Sequence, residues 1–228
     1  MFPKIHQAPR STLPLMKESP GVVDLLGLLA YAELSAYARM TEDATTLAPS
    51  LADRMALSEL AVTEYAHFRL LRDRLAELGA DPAEAMSPYV AALDAWHAQT
   101  RPADWLQALV KTYVGDGIAH DFYREGARHL DPSIADLVDE VLVDEGRSQF
   151  AVERVRAGIE ADPKAAARLA LWARRLVGEA LSQAQQVAAA RPELALLLVE
   201  AGGGQADISR LFAKLTEEHG KRMAAMGL

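Results

Sequence analysis

An acidic residue, Glu33, lies inside a stretch, residues 22–34, whose other members are nearly all apolar. On an α-helix, side chains spaced three, four and seven residues apart share a face. The residues that would share the Glu33 face are themselves mostly apolar: Leu26, Leu29, Ala30, Ala36, Tyr37 and Met40. Glu33 is therefore expected to face a core. Because an unpartnered buried carboxylate is strongly unfavourable, we expect it to be paired with a charge or to bind a metal ion.

The same pattern recurs one helix later, where Glu64 and His67 lie three residues apart. Glu64 also shares its helical face with apolar residues, which are Leu57, Leu60, Ala61, Phe68 and Leu71. Two inward carboxylates and an inward histidine on consecutive helices predict a metal site inside a helical bundle.

Helix start and stop signals are frequent along the chain. Asp-Pro pairs at Asp81, Asp131 and Asp162 have the pattern of an N-cap followed by proline, Ser50 also has the pattern of an N-cap, and Gly79 that of a C-terminal stop. Alternation typical of strands is missing. The pattern predicts helices over 21–41, 50–78, 88–99, 102–129, 132–160, 163–190, 193–201 and 207–226. We expect an all-α fold: residues 1–20 form an N-terminal arm, and 21–228 form a single helical domain.

Composition excludes several classes of protein. The chain has 228 residues and no cysteine, which excludes disulfides, iron–sulfur clusters and thiolate zinc sites and favours a cytoplasmic location. We expect no signal peptide and no membrane span. The formal net charge of −8 is unfavourable for general nucleic-acid binding, although a local basic patch is compatible with it.

Two further helices offer acidic residues near their middle. Asp116 shares a face with apolar residues and His120, whereas Asp121 lies among charged residues on a face expected to be solvated. On the fourth long helix, Asp144 and Glu145 both lie near the apolar stripe, and the sequence does not separate them. If 132–160 is one continuous helix, Asp116 and Asp144 lie at about the same level of an antiparallel hairpin.

Four helices that each carry an inward acid match the carboxylate-bridged di-iron or di-manganese pattern of ferritin-like four-helix bundles, here with additional C-terminal helices. That pattern requires a second Glu-x-x-His, but the corresponding frames here end in Arg147 or Ser148. Arginine cannot ligate a metal because it stays protonated. Arg147 could instead neutralise the buried acids, and His120 could replace the missing ligand.

With these residues, the chain resembles the ferritin-like tRNA methylthio-isopentenyl-adenosine hydroxylases over about residues 22–190. The resemblance depends on residues 29–33, 64–67, 113–117 and 146–152, and on the last helix. It implies a non-haem di-iron monooxygenase whose metal ligands are Glu33, Glu64, His67, Asp116 and Asp144. Tyr37 and Tyr113 would orient those ligands. It also implies a tRNA substrate and an external electron-donating reductase.

Three functions stay open on the sequence alone. The first is the iron-dependent, or manganese-dependent, hydroxylase. The second is a metal-free or metal-poor scaffold or interaction protein in which Arg147 neutralises the acids, and the third is peroxide detoxification or iron handling without tRNA. A homodimer is compatible with each of them.

Overall fold

The structure is a computed structural model that describes residues 20–127, 130–143, 147–201 and 205–228. The described residues form nine α-helices and no strand. They are α1 (Pro20–Thr46), α2 (Leu51–Glu77), α3 (Pro82–Gln99), α4 (Trp105–Ala127), α5 (Pro132–Val141), α6 (Arg147–Ala161), α7 (Lys164–Ala190), α8 (Pro192–Ala201) and α9 (Gln205–Met226). The all-α prediction is confirmed. The predicted N-terminal arm, residues 1–20, lies outside the described residues except for Pro20.

The most extensive contact between two helices joins α1 to α2. These two helices run antiparallel because only four residues connect them. Buried apolar side chains of α1, α2, α3, α4, α5 and α8 form one cluster, which includes Leu25, Leu71, Tyr89, Tyr123 and Leu194. A second cluster joins α4, α6, α7 and α9 through residues such as Leu109, Val155, Leu169 and Trp172. Since α4 contributes buried residues to both clusters, it connects the first cluster to α6, α7 and α9.

Four of the predicted helix start and stop signals are confirmed at the ends of α2, α3 and α5. The Ser50 hydroxyl accepts the backbone N–H of Asp53 at 3.1 Å, and Asp81 and Asp131 accept backbone N–H groups in the first turns of α3 and α5. Gly79 follows α2 with a φ of 77°, which is the left-handed conformation that glycine adopts without strain. These polar caps fix where the helices start and stop.

The predicted helix over 132–160 is wrong, because the described residues divide it into α5 and α6. Helix α5 ends at Val141, and Leu142 is its C-cap. The Leu142 carbonyl oxygen accepts a hydrogen bond from the Arg124 guanidinium of α4 at 3.3 Å, so a side chain satisfies a group that a continuing helix would satisfy internally. Asp116 and Asp144 were expected at one level of a hairpin only if helix 132–160 were unbroken, and the break between α5 and α6 removes that condition.

Helix α3 begins at Pro82 rather than at residue 88, and Pro88 lies inside it. Proline lacks the N–H that would bond to the carbonyl oxygen of Glu84. The Ser87 hydroxyl donates to that oxygen at 3.2 Å and replaces the missing bond. Ser87 therefore lets the helix continue through Pro88. The predicted helix start at residue 88 is wrong.

Two arginines attach the C-terminal helices to the bundle. Arg191, before α8, forms a two-point ion pair with Asp24 of α1, in which its Nε lies 3.2 Å from the carboxylate. Arg222 of α9 pairs with Asp121 of α4. Asp24 is buried and Arg191 is partly exposed, so removing Arg191 would leave a buried carboxylate without its partner. These pairs therefore hold α8 and α9 in place.

Among the described helices, the segment Gly21–Thr46 is long and apolar enough to cross a membrane by length and composition, but 61% of its apolar window is buried inside the protein. A core helix passes the same test, so this is a weak indication of a membrane span.

A buried polar junction joins α1, α3 and α4. The His97 Nε2 lies 3.2 Å from the Ser35 hydroxyl. The buried Lys111 ammonium donates to the Thr100 carbonyl oxygen at 2.9 Å and lies 4.8 Å from the centre of the Trp96 ring. Burial, together with the positive charges of Lys111 and Arg39, lowers the pKa of His97 to about 3. His97 is therefore neutral at physiological pH.

Because α1 and α3 are in tight contact, we expect alanine substitutions at two glycines to change the free energy of unfolding in opposite directions. A Cβ at Gly27 would overlap the backbone carbonyl of Ala85, whereas a Cβ at Gly178 in α7 meets nothing within 4 Å. We expect Gly27→Ala to lower the free energy of unfolding by about 1–3 kcal/mol. The control Gly178→Ala should raise it by up to about 1 kcal/mol. Urea denaturation followed by circular dichroism measures both, and equal effects would contradict the close α1–α3 approach.

The neutral His97 predicts a loss of stability in acid. Since its folded pKa of about 3 lies below the ordinary 6.5, the unfolded chain binds the extra proton first, and stability falls as pH drops from about 6.5 towards 3. We expect the wild type to lose a few kcal/mol more over this range than His97→Asn. Asp43, whose pKa burial raises to about 6, acts in the opposite direction in both proteins and cancels in the comparison. Parallel pH profiles of the unfolding free energy would contradict the assignment.

Candidate metal centre

Helices α1 and α2 bring Glu33, Glu64 and His67 together in the protein interior. Their exposed fractions are 4%, 2% and 5%. Glu33 lies on the face of α1 that also presents Leu26 and Leu29, and Glu64 and His67 occupy one face of α2 because they are three residues apart. The predicted inward orientation of all three side chains is confirmed.

The three side chains are close enough to share one ligand. The His67 Nδ1 lies 3.4 Å from the Glu33 Oε2. One donor atom from each of Glu33, Glu64 and His67 can be chosen such that all three lie within 4.8 Å of one another. Two carboxylates and one imidazole therefore converge on a small volume from which water is nearly excluded.

This donor set fits a transition metal. Carboxylate and imidazole ligands suit iron and manganese, and protein donors typically lie about 2.0–2.2 Å from such ions. Two donors on one ion are then about 3–4 Å apart, which matches the 3.4 Å between Glu33 and His67. Buried positive charge would also offset the cost of enclosing two carboxylates. The residues present are thus compatible with metal binding, and they leave the identity of the metal open.

A buried tyrosine of α4, Tyr123, lies within electrostatic range of Glu33 and was not among the predicted site residues. It is buried, burial raises the pKa of its hydroxyl, and the negative charge of Glu33 raises that pKa further. Tyr123 therefore stays protonated and keeps a hydroxyl proton near the acids. Tyr123 follows Asp116 by seven residues, a spacing that puts the two positions on one face of a helix. That spacing is the signal in the sequence that would have indicated Tyr123 as a site residue.

Other predicted ligands lie outside the described residues. This holds for the side chain of Asp116 and for the whole of Asp144 and Glu145, and the Arg147 side chain is also undescribed. Their assignments stay predictions. His120 is half-buried and is not part of the described cluster of metal-binding groups.

The two tyrosines predicted to orient ligands occupy separate positions. The Tyr37 ring packs against Tyr65, with 5.0 Å between ring centres, and Tyr113 packs with the cluster of α4, α6, α7 and α9. An orienting role for either one stays a prediction.

Asp121 does not lie on a solvated face, and the prediction to that effect is wrong. Its side chain is 15% exposed and pairs with Arg222 of α9. A Cβ at Gly117 would overlap the Arg222 side chain, so glycine at this position makes room for the guanidinium. Gly115 likewise accommodates the Trp96 ring, which would lie 3.0 Å from a Cβ there. The glycines beside Asp116 therefore serve close packing around α4.

The match to known families agrees with this architecture. The sequence model of a ferritin-like domain found in actinomycetes matches residues 17–201. No protein with curated annotation matches the chain significantly. The matched region contains Glu33, Glu64 and His67 together with the two helices that carry them, α1 and α2. On the basis of this match and of the helical bundle, the chain belongs to the ferritin-like domain family of actinomycetes.

Proposed function

We propose that this protein binds iron or manganese through Glu33, Glu64 and His67 and is an oxygen-dependent hydroxylase. The observation that carries the proposal is the convergence of two carboxylates and one imidazole, all nearly inaccessible to water, from two adjacent helices. Asp116 of α4 and Asp144, which lies between α5 and α6 in the sequence, would complete the ligand set. A pair of metal ions is the state that the di-iron pattern of such bundles favours.

Energetics support a bound cation. Each buried carboxylate loses its hydration, and the contact between Glu33 and His67 can offset only part of that loss for two acids. A metal ion provides both positive charge and direct bonds to the oxygen and nitrogen atoms. The enclosure by α1, α2 and α4 would exclude competing water from that ion.

When bound, two iron ions would supply activation of dioxygen, so that one oxygen atom enters a C–H bond and the other leaves as water, with two electrons and two protons consumed. The residues of the chain bind and orient: Glu33, Glu64 and His67 hold the ions, and Tyr123 keeps a hydroxyl proton beside Glu33. The resemblance to tRNA hydroxylases supports a modified adenosine side chain as substrate, a reductase as electron donor and a cytoplasmic location.

A metal-free scaffold is the second candidate. The observation that favours it is the 3.4 Å contact between Glu33 and His67, which can neutralise one acid if the imidazole is protonated. Arg147 would neutralise a second acid. The protein would then use its surface for binding rather than its interior for chemistry.

Metal content after purification without chelator separates the two candidates. We expect Glu64→Ala combined with His67→Ala to lower the affinity for iron by at least about tenfold, because both residues contact the ion directly. The control His97→Asn removes a buried histidine outside the cluster and should leave bound iron unchanged. Unchanged iron in the double variant would contradict the ligand assignment.

Thermal unfolding gives an independent test of the same centre. Ferrous iron at about 100 times its Kd should stabilise the wild type by about 2.7 kcal/mol. That corresponds to a rise in Tm of roughly 5–10 °C for a chain of this size. Absence of bound metal and of any shift in Tm would favour the scaffold.

The hydroxylase itself is tested with tRNA that carries methylthio-isopentenyl adenosine, ferrous iron, oxygen and a reductase. The expected product is a nucleoside heavier by one oxygen atom, detected by mass spectrometry. Oxygen consumption at the same rate without tRNA would favour peroxide detoxification or iron handling.

A further inference from the structure

Two tyrosines in contact join the helices that carry the metal centre. The ring centres of Tyr37 of α1 and Tyr65 of α2 lie 5.0 Å apart, with 47° between the ring planes. That separation is typical of aromatic side chains that pack directly against each other. Tyr37 is half-buried, whereas Tyr65 is 39% exposed. The pair therefore extends from the protein interior to the solvent.

The inner member of this pair is a neighbour of the metal centre. Tyr37 follows Glu33 by four residues on α1, a spacing that puts the two side chains on one face of the helix with about 5–6 Å between their Cβ atoms. On α2, Tyr65 directly follows Glu64. Two contacting phenol rings thus lead from Glu33 to the surface.

The enclosure of the centre gives this connection a use. Glu33, Glu64 and His67 are at most 5% exposed, so a soluble reductant does not reach an ion between them directly. When the ions have been oxidised and no substrate is present, the nearest oxidisable groups are side chains of the protein itself. An electron crosses between packed rings without any opening of the structure.

We propose that Tyr37 and Tyr65 carry oxidising equivalents from the buried metal centre to the protein surface, where a soluble thiol removes them. The inference rests on the metal binding proposed above. The oxidant is hydrogen peroxide, which takes up two electrons and two protons at the centre and leaves as two water molecules.

Each electron follows the same path. Tyr65 loses one electron and releases its phenolic proton to water, and Tyr37 passes the electron inward and returns to its starting state. A thiol then restores Tyr65 by giving it one electron and one proton. After two such events, two thiols have become one disulfide, which balances the reduction of one peroxide molecule.

Other tyrosines of the described helices lack one of the two properties that the pair combines. Tyr89 and Tyr123 are buried, so a soluble thiol does not reach them. Tyr31 precedes Glu33 by two residues, and residues two apart on a helix do not face each other. Contact with the centre and contact with solvent are joined in the pair of α1 and α2.

Radical trapping resolved to single residues tests the relay. The full chain is loaded with ferrous iron, its iron content is measured, and it is treated with hydrogen peroxide and a nitroso spin trap before mass spectrometry of its peptides. We expect a trap adduct on Tyr65 of the wild type. The adduct should be lost in Glu64→Ala combined with His67→Ala, and a soluble thiol added with the peroxide should suppress it.

Removal of single phenol hydroxyls tests the path. Tyr37→Phe keeps a ring but has no phenolic proton, so most of the Tyr65 adduct should be lost while the iron content stays unchanged. Unchanged iron separates a relay from a role in orienting ligands. Tyr31→Phe is the matched control on the same helix and should give the wild-type adduct. In Tyr65→Phe the oxidising equivalents stay inside the protein, and addition of oxygen to His67 should increase.

The outcomes distinguish the relay from the metal centre on which it rests. Circular dichroism checks that every variant is folded. A wild type that binds no iron would overturn both proposals. Bound iron without an adduct on Tyr65, an adduct that persists in Glu64→Ala with His67→Ala, or equal adducts in Tyr37→Phe and Tyr31→Phe would overturn the relay alone.

Discussion

Two carboxylates and an imidazole are enclosed between α1 and α2. The surrounding structure must compensate the charge of these buried acids. Glu33 and Glu64 are almost inaccessible to water, so their charge must be compensated by groups inside the protein. The neighbouring His67 and the enclosing helices determine which groups can do so. A metal ion would compensate both acids at once, and the buried cluster is therefore the strongest indication of function among the described residues.

The contacts around the cluster explain how four helices keep these groups in place. Close approach at Gly27 fixes α1 against α3, and Gly117 lets Arg222 reach Asp121 and fix α9 against α4. Helix α4 in turn carries the buried Tyr123, whose pKa the charge of Glu33 raises. The polar junction of Lys111 and His97 ties the far end of α3 to α4 and α1. Alignment of the site thus depends on small residues at helix crossings and on a few buried polar contacts.

Much of this arrangement could be predicted from the sequence because it follows from helical periodicity. Glu33, Glu64 and His67 each share a face with apolar residues, and the cap at Ser50 and the stop at Gly79 mark the ends of α2. The division of residues 132–160 into two helices could not be predicted in this way. At that break the Arg124 side chain of another helix hydrogen-bonds to the Leu142 carbonyl oxygen. The burial of Asp121 likewise requires Arg222, more than one hundred residues later, and helical periodicity carries no information about such contacts.

X-ray diffraction at the iron absorption edge, on crystals of the full chain grown with ferrous iron under anaerobic conditions, tests the central claim most directly. The account predicts an anomalous peak between Glu33, Glu64 and His67, at about 2.0–2.2 Å from their donor atoms. Crystals of the Glu64→Ala, His67→Ala variant should lack that peak. A wild-type structure at saturating iron with no peak there, and with Glu33 and His67 in direct contact, would contradict it.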